Sequence, residues 1–170
     1  MRRALFLDRD GTLIVDVGYP RDPAQVTLLP GAAAALTALP VDVALVIVTN
    51  QSGLARGLVT PAEAAAVQRE VERQFAALGV RFSGAFACPH GPDDGCRCRK
   101  PAPGLLHDAA RVLGLDLAGS AMVGDKASDV DAGRAAGCGL ALRFGETAAA
   151  GVDVVGWPAA AGALAAYFAP

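Results

Sequence analysis

The stretch Leu5-Phe6-Leu7-Asp8-Arg9-Asp10-Gly11-Thr12-Leu13 constrains this chain most, because an apolar run stops abruptly at two carboxylates and a glycine. Residues Ala4–Leu7 are too few for a helix and have the unbroken apolarity of a strand buried on both faces, as parallel strands are. Gly11 allows a sharp exit. In an open parallel sheet, ligands bind beyond the carboxyl ends of the strands, so Asp8 and Asp10 are expected at the mouth of that crevice. There one carboxylate can attack an electrophile or hold a cation while its neighbour moves protons. Taken alone, Asp8-Arg9-Asp10-Gly11 is simply a polar turn after a strand.

The rest of the chain supplies the context. Residues 43–48 are β-branched and apolar, a second strand ending at Thr49-Asn50-Gln51-Ser52-Gly53, which brings Thr49 to the same edge as Asp8. Thr60-Pro61-Ala62-Glu63 opens a helix as a capping box with proline at its first position. Val67, Val71, Phe75 and Leu78 form that helix's apolar stripe, and Gly79 marks its stop. Further strands are expected at residues 85–87, 121–123, 140–142 and 152–155. Helices are expected at residues 31–39, 104–113, from 127 onward, and at 158–168, with a proline-punctuated loop over 20–30. Strands alternating with helices imply a doubly wound, mostly parallel α/β sheet. The length fits one domain, residues 1–170.

Three of the four cysteines and one of the two histidines fall between Cys88 and Cys98. Residues i and i+2 of an extended segment share a face, so Cys88 with His90, and Cys96 with Cys98, form two clips that an intervening Gly/Pro/Asp loop lets meet. Three thiolates and an imidazole complete a tetrahedral shell with no open position, the composition of a structural Zn²⁺ site. A disulfide is the competing reading, and it leaves one cysteine over. Arg99 and Lys100 follow the last ligand without a gap, so the metal would brace this basic pair.

Although 53% of residues are hydrophobic, no segment is apolar for long enough to cross a bilayer. Asp8, Arg9 and Asp10 interrupt the first apolar run too early for a signal peptide. The expectation is a cytoplasmic protein, monomeric and away from membranes. A formal net charge of −2 provides no footprint for nucleic acid. A small ligand is expected instead.

In register, Asp8-x-Asp10-Gly11-Thr12, Thr49-Asn50, Lys100-Pro101 and Gly124-Asp125-Lys126-x-x-Asp129 resemble the four motifs of the haloacid dehalogenase superfamily, over residues 4–145. Only two of the fifteen basic residues are lysine, Lys100 and Lys126, and both lie inside these motifs, where a compact ammonium can sit on a phosphoryl oxygen. The zinc loop makes the chain similar to the branch without a large cap domain that contains heptose 1,7-bisphosphate 7-phosphatases and histidinol-phosphate phosphatases. Residues 17–19, 49–57 and 124–126 favour the former.

The resemblance implies a mechanism. Asp8 attacks phosphorus and forms an aspartyl-phosphate, while Asp10 protonates the leaving alkoxide and later activates water. Mg²⁺ is expected on Asp8, the Asp10 main-chain carbonyl and Asp125, since a phosphate monoester repels a carboxylate until its charge is neutralised. Thr49 and Lys100 would stabilise the phosphoryl group, and Asp129 would orient Lys126 or a metal-bound water. Asp16, Tyr19, Asn50, Ser52, Arg99 and Lys126 are the candidate substrate contacts. The expected partner is a phosphorylated metabolite, best a sugar bisphosphate. A 3′-phosphatase acting on nucleic acid ends would need basic or aromatic surface that this chain lacks. A non-catalytic zinc-braced module would not need both aspartates.

Overall fold

The apolar runs pair side by side, all in one direction, in the computed structural model, which describes residues 1–169. β1 (Ala4–Leu7), β2 (Ala44–Asn50), β3 (Gly84–Cys88), β4 (Ala121–Gly124), β5 (Leu140–Gly145) and β6 (Val154–Val155) form one sheet in the order β3-β2-β1-β4-β5-β6. Every pairing between these strands is parallel, as the doubly wound pattern requires. The strand order reverses direction at β1, so Asp8 emerges at the point where an open sheet leaves a crevice.

Strand alternation divides the core into two layers. Leu5, Leu7, Leu45, Ile47 and Val123 face one side, and Phe6, Val46, Val48 and Met122 the other. The first side is covered by α1 (Ala32–Thr37), α2 (Pro61–Ala77) and α5 (Gly156–Phe168), the second by α3 (Gly104–Leu113) and α4 (Ala127–Ala136). In α2 the capping box forms as its residues dictate. The Thr60 hydroxyl accepts from the Glu63 N–H at 3.2 Å, and the Glu63 carboxylate accepts from the Thr60 N–H at 2.8 Å. Val67, Val71 and Phe75 are fully buried beneath it. Truncating Phe75 to alanine would cost about 3–5 kcal/mol.

The differences from the expected boundaries have local causes. The loop over residues 20–30 contains a 3-10 turn, Pro23–Gln25, capped at both ends of a box by Asp22 and Gln25. β5 runs on to Gly145 because Asp153 accepts from the Arg143 N–H and returns its own N–H to the Arg143 carbonyl. α5 starts at Gly156, ahead of Pro158, where the buried Trp157 donates through Nε1 to the Thr12 carbonyl at 2.8 Å. That bond ties the last helix to the turn after Asp10. Among the described residues, no helix is long and apolar enough to cross a membrane.

Candidate active site

Asp8 and Asp10 leave β1 on a turn that the chain closes on itself: the N–H groups of Leu13 and Ile14 return to the Arg9 carbonyl at 2.9 and 3.1 Å. Gly11 holds φ at +83°, and a Cβ there would lie 2.6 Å from Asp125 Oδ2, so glycine is required twice over. The turn faces a cleft of about 640 Å³ at the carboxyl edge of the sheet. Thr49, Asn50 and Ser52 reach it from the end of β2, Arg99 and Lys100 from beyond the cysteine loop, and Asp16 and Tyr19 from the segment after Leu13. Lys126 closes it from the start of α4.

Lys100 is the electrostatic centre of this cleft. Its Nζ lies 2.6 Å from Asp8 Oδ1, 2.6 Å from Asp129 Oδ1 and 2.8 Å from the Val48 carbonyl. Burial works against its charge, but Asp8 and Asp129 outweigh burial and raise the ammonium above its ordinary value. Asn50 fixes the lysine backbone, donating to the Lys100 carbonyl and accepting the Lys100 N–H, both at 3.1 Å. The amide of Asn50, expected at the substrate, is therefore occupied at both ends.

Asp129 is buried and holds Lys100 through Oδ1, whereas Oδ2 accepts the Lys126 main-chain N–H at 2.9 Å. The side chain expected to orient Lys126 or a metal-bound water thus holds the ammonium of the other lysine. A Cβ on Gly124 would occupy the space of the Asp129 carboxyl, so glycine permits this approach. The Lys126 ammonium instead faces Asp16, 3.6 Å away across the cleft mouth.

Asp8, Asp125 and Asp129 offer carboxylate oxygens within 4.8 Å of one another. Both oxygens of Asp129 are engaged, but buried Asp125 Oδ1 has no hydrogen-bond partner among the described residues. Burial, then the neighbouring Asp8 charge, push the Asp125 carboxyl up to about 7, with Lys126 pulling against them. Burial also raises Asp8, opposed by Lys100 and reinforced by Asp129. A hard divalent cation between Asp8 and Asp125 would satisfy the orphaned oxygen and relieve both acids, so the donor set fits Mg²⁺.

The cysteine loop draws four metal-ligating atoms into one cluster. Cys88 Sγ lies 3.5 Å from His90 Nδ1, 3.7 Å from Cys96 Sγ and 3.3 Å from Cys98 Sγ, and Cys98 Sγ lies 3.6 Å from Cys96 Sγ and 3.2 Å from His90 Nδ1. A tetrahedral zinc shell requires edges of about 3.8 Å between sulfurs and about 3.5 Å from sulfur to nitrogen. All four cysteines are free thiols. Burial pushes the Cys88 thiol up to about 12, so only a bound cation would hold it as thiolate beside two others. The loop is anchored independently of metal, since Arg97 grips both Asp108 oxygens at 3.1 and 2.9 Å and the Gly104 N–H reaches the Arg97 carbonyl at 3.0 Å.

Two polar side chains on Asp10, those of Gln51 and Arg9, receive no role from the sequence although both stand inside its motifs. Gln51 Nε2 donates to Asp10 Oδ2 at 2.9 Å and to Thr49 Oγ1 at 2.8 Å. Arg9 holds both Asp10 oxygens at 3.1 Å. The signal available for Arg9 was a charged residue placed in the turn between two acids.

The architecture and the chemistry at its carboxyl edge together define a haloacid dehalogenase-like hydrolase, and residues 97–154 match the HAD-hydrolase-like family model. The chain is 44% identical over 138 residues to the D-glycero-beta-D-manno-heptose-1,7-bisphosphate 7-phosphatase of Bordetella bronchiseptica, covering 80% of this chain and 77% of that one. It is 41% identical over 144 residues to the enzyme of the same name from Escherichia coli K12, covering 80% and 75%. It also superposes with a TM-score of 0.84 on the crystal structure of the B. bronchiseptica D,D-heptose 1,7-bisphosphate phosphatase complexed with magnesium and phosphate, at 38% identity over 95% of this chain and 97% of that one. The chain belongs to this heptose-bisphosphate phosphatase family.

Proposed function

We propose that the chain is a Mg²⁺-dependent phosphomonoesterase that removes the 7-phosphate of D-glycero-β-D-manno-heptose 1,7-bisphosphate through an aspartyl-phosphate on Asp8. The observation that carries this reading is the Asp8 carboxylate, held at 2.6 Å by a buried ammonium and facing a polar cleft, in a chain of this family. The coarse part, a small sugar phosphate as substrate, follows from the relatives. In this reading residues 1–170 act as one catalytic domain and as a monomer.

With Lys100 on Oδ1, Asp8 attacks phosphorus through Oδ2, and the same ammonium offsets negative charge at the reacting centre. The leaving sugar oxygen takes a proton from Asp10, whose carboxylate lines the cleft. In the second half-reaction Asp10 takes a proton from the water that hydrolyses the aspartyl-phosphate. Thr49 Oγ1 accepts from Gln51 and donates to Asp10 Oδ2 across 3.5 Å, a long bond from which the hydroxyl can turn to a phosphoryl oxygen. Asp8, Asp125 and the Asp10 carbonyl would hold Mg²⁺, which supplies positive charge to the phosphoryl oxygens when bound.

Arg99 and Lys126 serve the other end of the substrate. Arg99 is steadied by one N–H donated to the His90 carbonyl at 3.2 Å, which leaves the rest of its planar fork for a remote phosphate. Cys88, His90, Cys96 and Cys98 would hold Zn²⁺ as a brace for this loop. The test is phosphate release from heptose 1,7-bisphosphate, histidinol phosphate and 3′-phosphorylated oligonucleotides by the Mg²⁺-loaded enzyme. Preference for the bisphosphate is expected, and a better rate with histidinol phosphate would overturn the substrate assignment.

A further inference from the structure

Arg9 stands between the two motif aspartates, and the mechanism above gives it no task. Its side chain is 2% exposed, and nothing about burying a guanidinium is favourable for packing alone. The burial is tolerated because of what it holds: Nε donates to Asp10 Oδ2 and Nη2 to Asp10 Oδ1, both at 3.1 Å. Adjacent residues on a strand point to opposite faces, so this pairing exists only because the chain turns between them.

The direction of the grip is informative. Asp10 lines the substrate cleft, whereas Arg9 lines a separate cavity of about 200 Å³ with Gln68, Ala64 and Phe86, on the side of α2 and β3. Its Nη1 reaches Gln68 there only at 3.5 Å. The guanidinium therefore takes the Asp10 carboxylate from behind. We infer that Arg9 is a positioning residue for the proton-transfer carboxylate: its fork fixes the carboxylate plane, Gln51 holds Oδ2 at 2.9 Å, and Oδ1, engaged only by Arg9, keeps a lone pair for the leaving oxygen and the water. Lysine, a point charge, could not fix both oxygens at once. The inference rests on the role assigned to Asp10 in the proposed function.

The test compares Arg9→Ala and Arg9→Lys, alone and combined with Asp10→Asn, in the zinc- and Mg²⁺-loaded enzyme. General acid–base catalysis is worth about 10²–10⁴-fold, so Arg9→Ala is expected to lower kcat by at least roughly 30-fold with KM for the bisphosphate changed less than about threefold. Arg9→Lys should recover part of the loss. In the Asp10→Asn background, Arg9→Ala should have no further effect, because a residue acting through Asp10 has nothing left to position. Guanidinium ion should restore kcat of Arg9→Ala by entering through the neighbouring cavity, and uncharged urea should not. An unchanged kcat in Arg9→Ala, or an equal loss with and without Asp10→Asn, would overturn the inference while leaving the phosphatase assignment standing. An unchanged kcat in Asp10→Asn would remove the acid–base assignment and the inference with it. Should Arg9→Ala fail to fold, Arg9→Lys carries the same comparison with Asp10→Asn.

Discussion

Lys100 and Asp8 form a buried ion pair 2.6 Å apart that joins residues 92 positions apart in the chain. An ammonium has three donors, and here Asp8, Asp129 and the Val48 carbonyl take all three. Its position is consequently set by the fold and not by substrate.

Replacing Lys100 with methionine leaves two buried carboxylates without their cation. Breaking a buried pair in this way typically costs about 3–5 kcal/mol, and the same loss should appear in urea unfolding. Turnover should vanish as well. Wild-type stability in Lys100→Met would mean that the pair contributes nothing to the fold.

Asp8→Asn should abolish turnover with the fold intact, because it removes the nucleophile at constant side-chain size. Asp10→Asn should slow both formation and hydrolysis of the aspartyl-phosphate, by up to about 10²–10⁴-fold. Rapid-quench trapping of phosphate on any residue but Asp8 would contradict the mechanism.

The Asp125 carboxyl, pushed up to about 7 by burial and Asp8, binds a proton in the Mg²⁺-free protein across a window where an ordinary aspartate is ionised. The folded state therefore holds more protons than the unfolded one between about pH 4 and 7, so Mg²⁺-free stability falls as pH rises through that window. Mg²⁺ must displace that proton. Its affinity should rise with pH up to about 7 and then level off, with proton release visible in calorimetry across buffers of different ionisation enthalpy. A flat affinity over pH 5–7 would show that Asp125 is not the competing group.

Cys98→Ser should release zinc and loosen the loop that carries Arg99 and Lys100, since a structural zinc shell contributes directly to folding. Metal analysis and hydrogen exchange over residues 88–101 would read both effects. The Arg97–Asp108 clamp and α3 should stay protected. Zinc-free wild-type protein with unchanged exchange would dismiss the brace.

If Arg99 grips a remote phosphate, kcat/KM for the bisphosphate should exceed that for histidinol phosphate by at least roughly tenfold, or about 1.4 kcal/mol. Arg99→Ala should narrow that ratio by weakening the bisphosphate more than a monophosphate. An unchanged ratio would place the second phosphate elsewhere.

The strands, the helices and the convergence of Asp8, Thr49, Lys100 and Lys126 on one edge were legible because each depends on local pattern: an apolar run, then a turn, at the end of a parallel strand. What was not legible is how the polar side chains divide their partners. Asn50 clamps the Lys100 backbone across 50 residues, and Asp129 pairs with Lys100 in preference to its neighbour Lys126. Those choices follow from the register of β2 beside β1 and of β4 on β1's other side, which no local pattern encodes. Arg9 shows the converse. Its partner is the next residue, but a turn had to fold before the two side chains could meet.

The long loop closed by Asp8 and Lys100 also governs when the protein can be finished. β1 lies in the middle of the sheet, yet its terminal carboxylate lacks a counter-charge until residue 100 has been made, and the β4 edge is absent until residues 121–124 follow. On the ribosome, an emerging chain that already contains β1, β2 and β3 would carry an unpaired anion and an open strand edge, the kind of species that chaperones recognise. Docking of the central strand thus waits for the carboxyl-terminal half, and the contact that arms the nucleophile cannot form until more than half of the chain has been made.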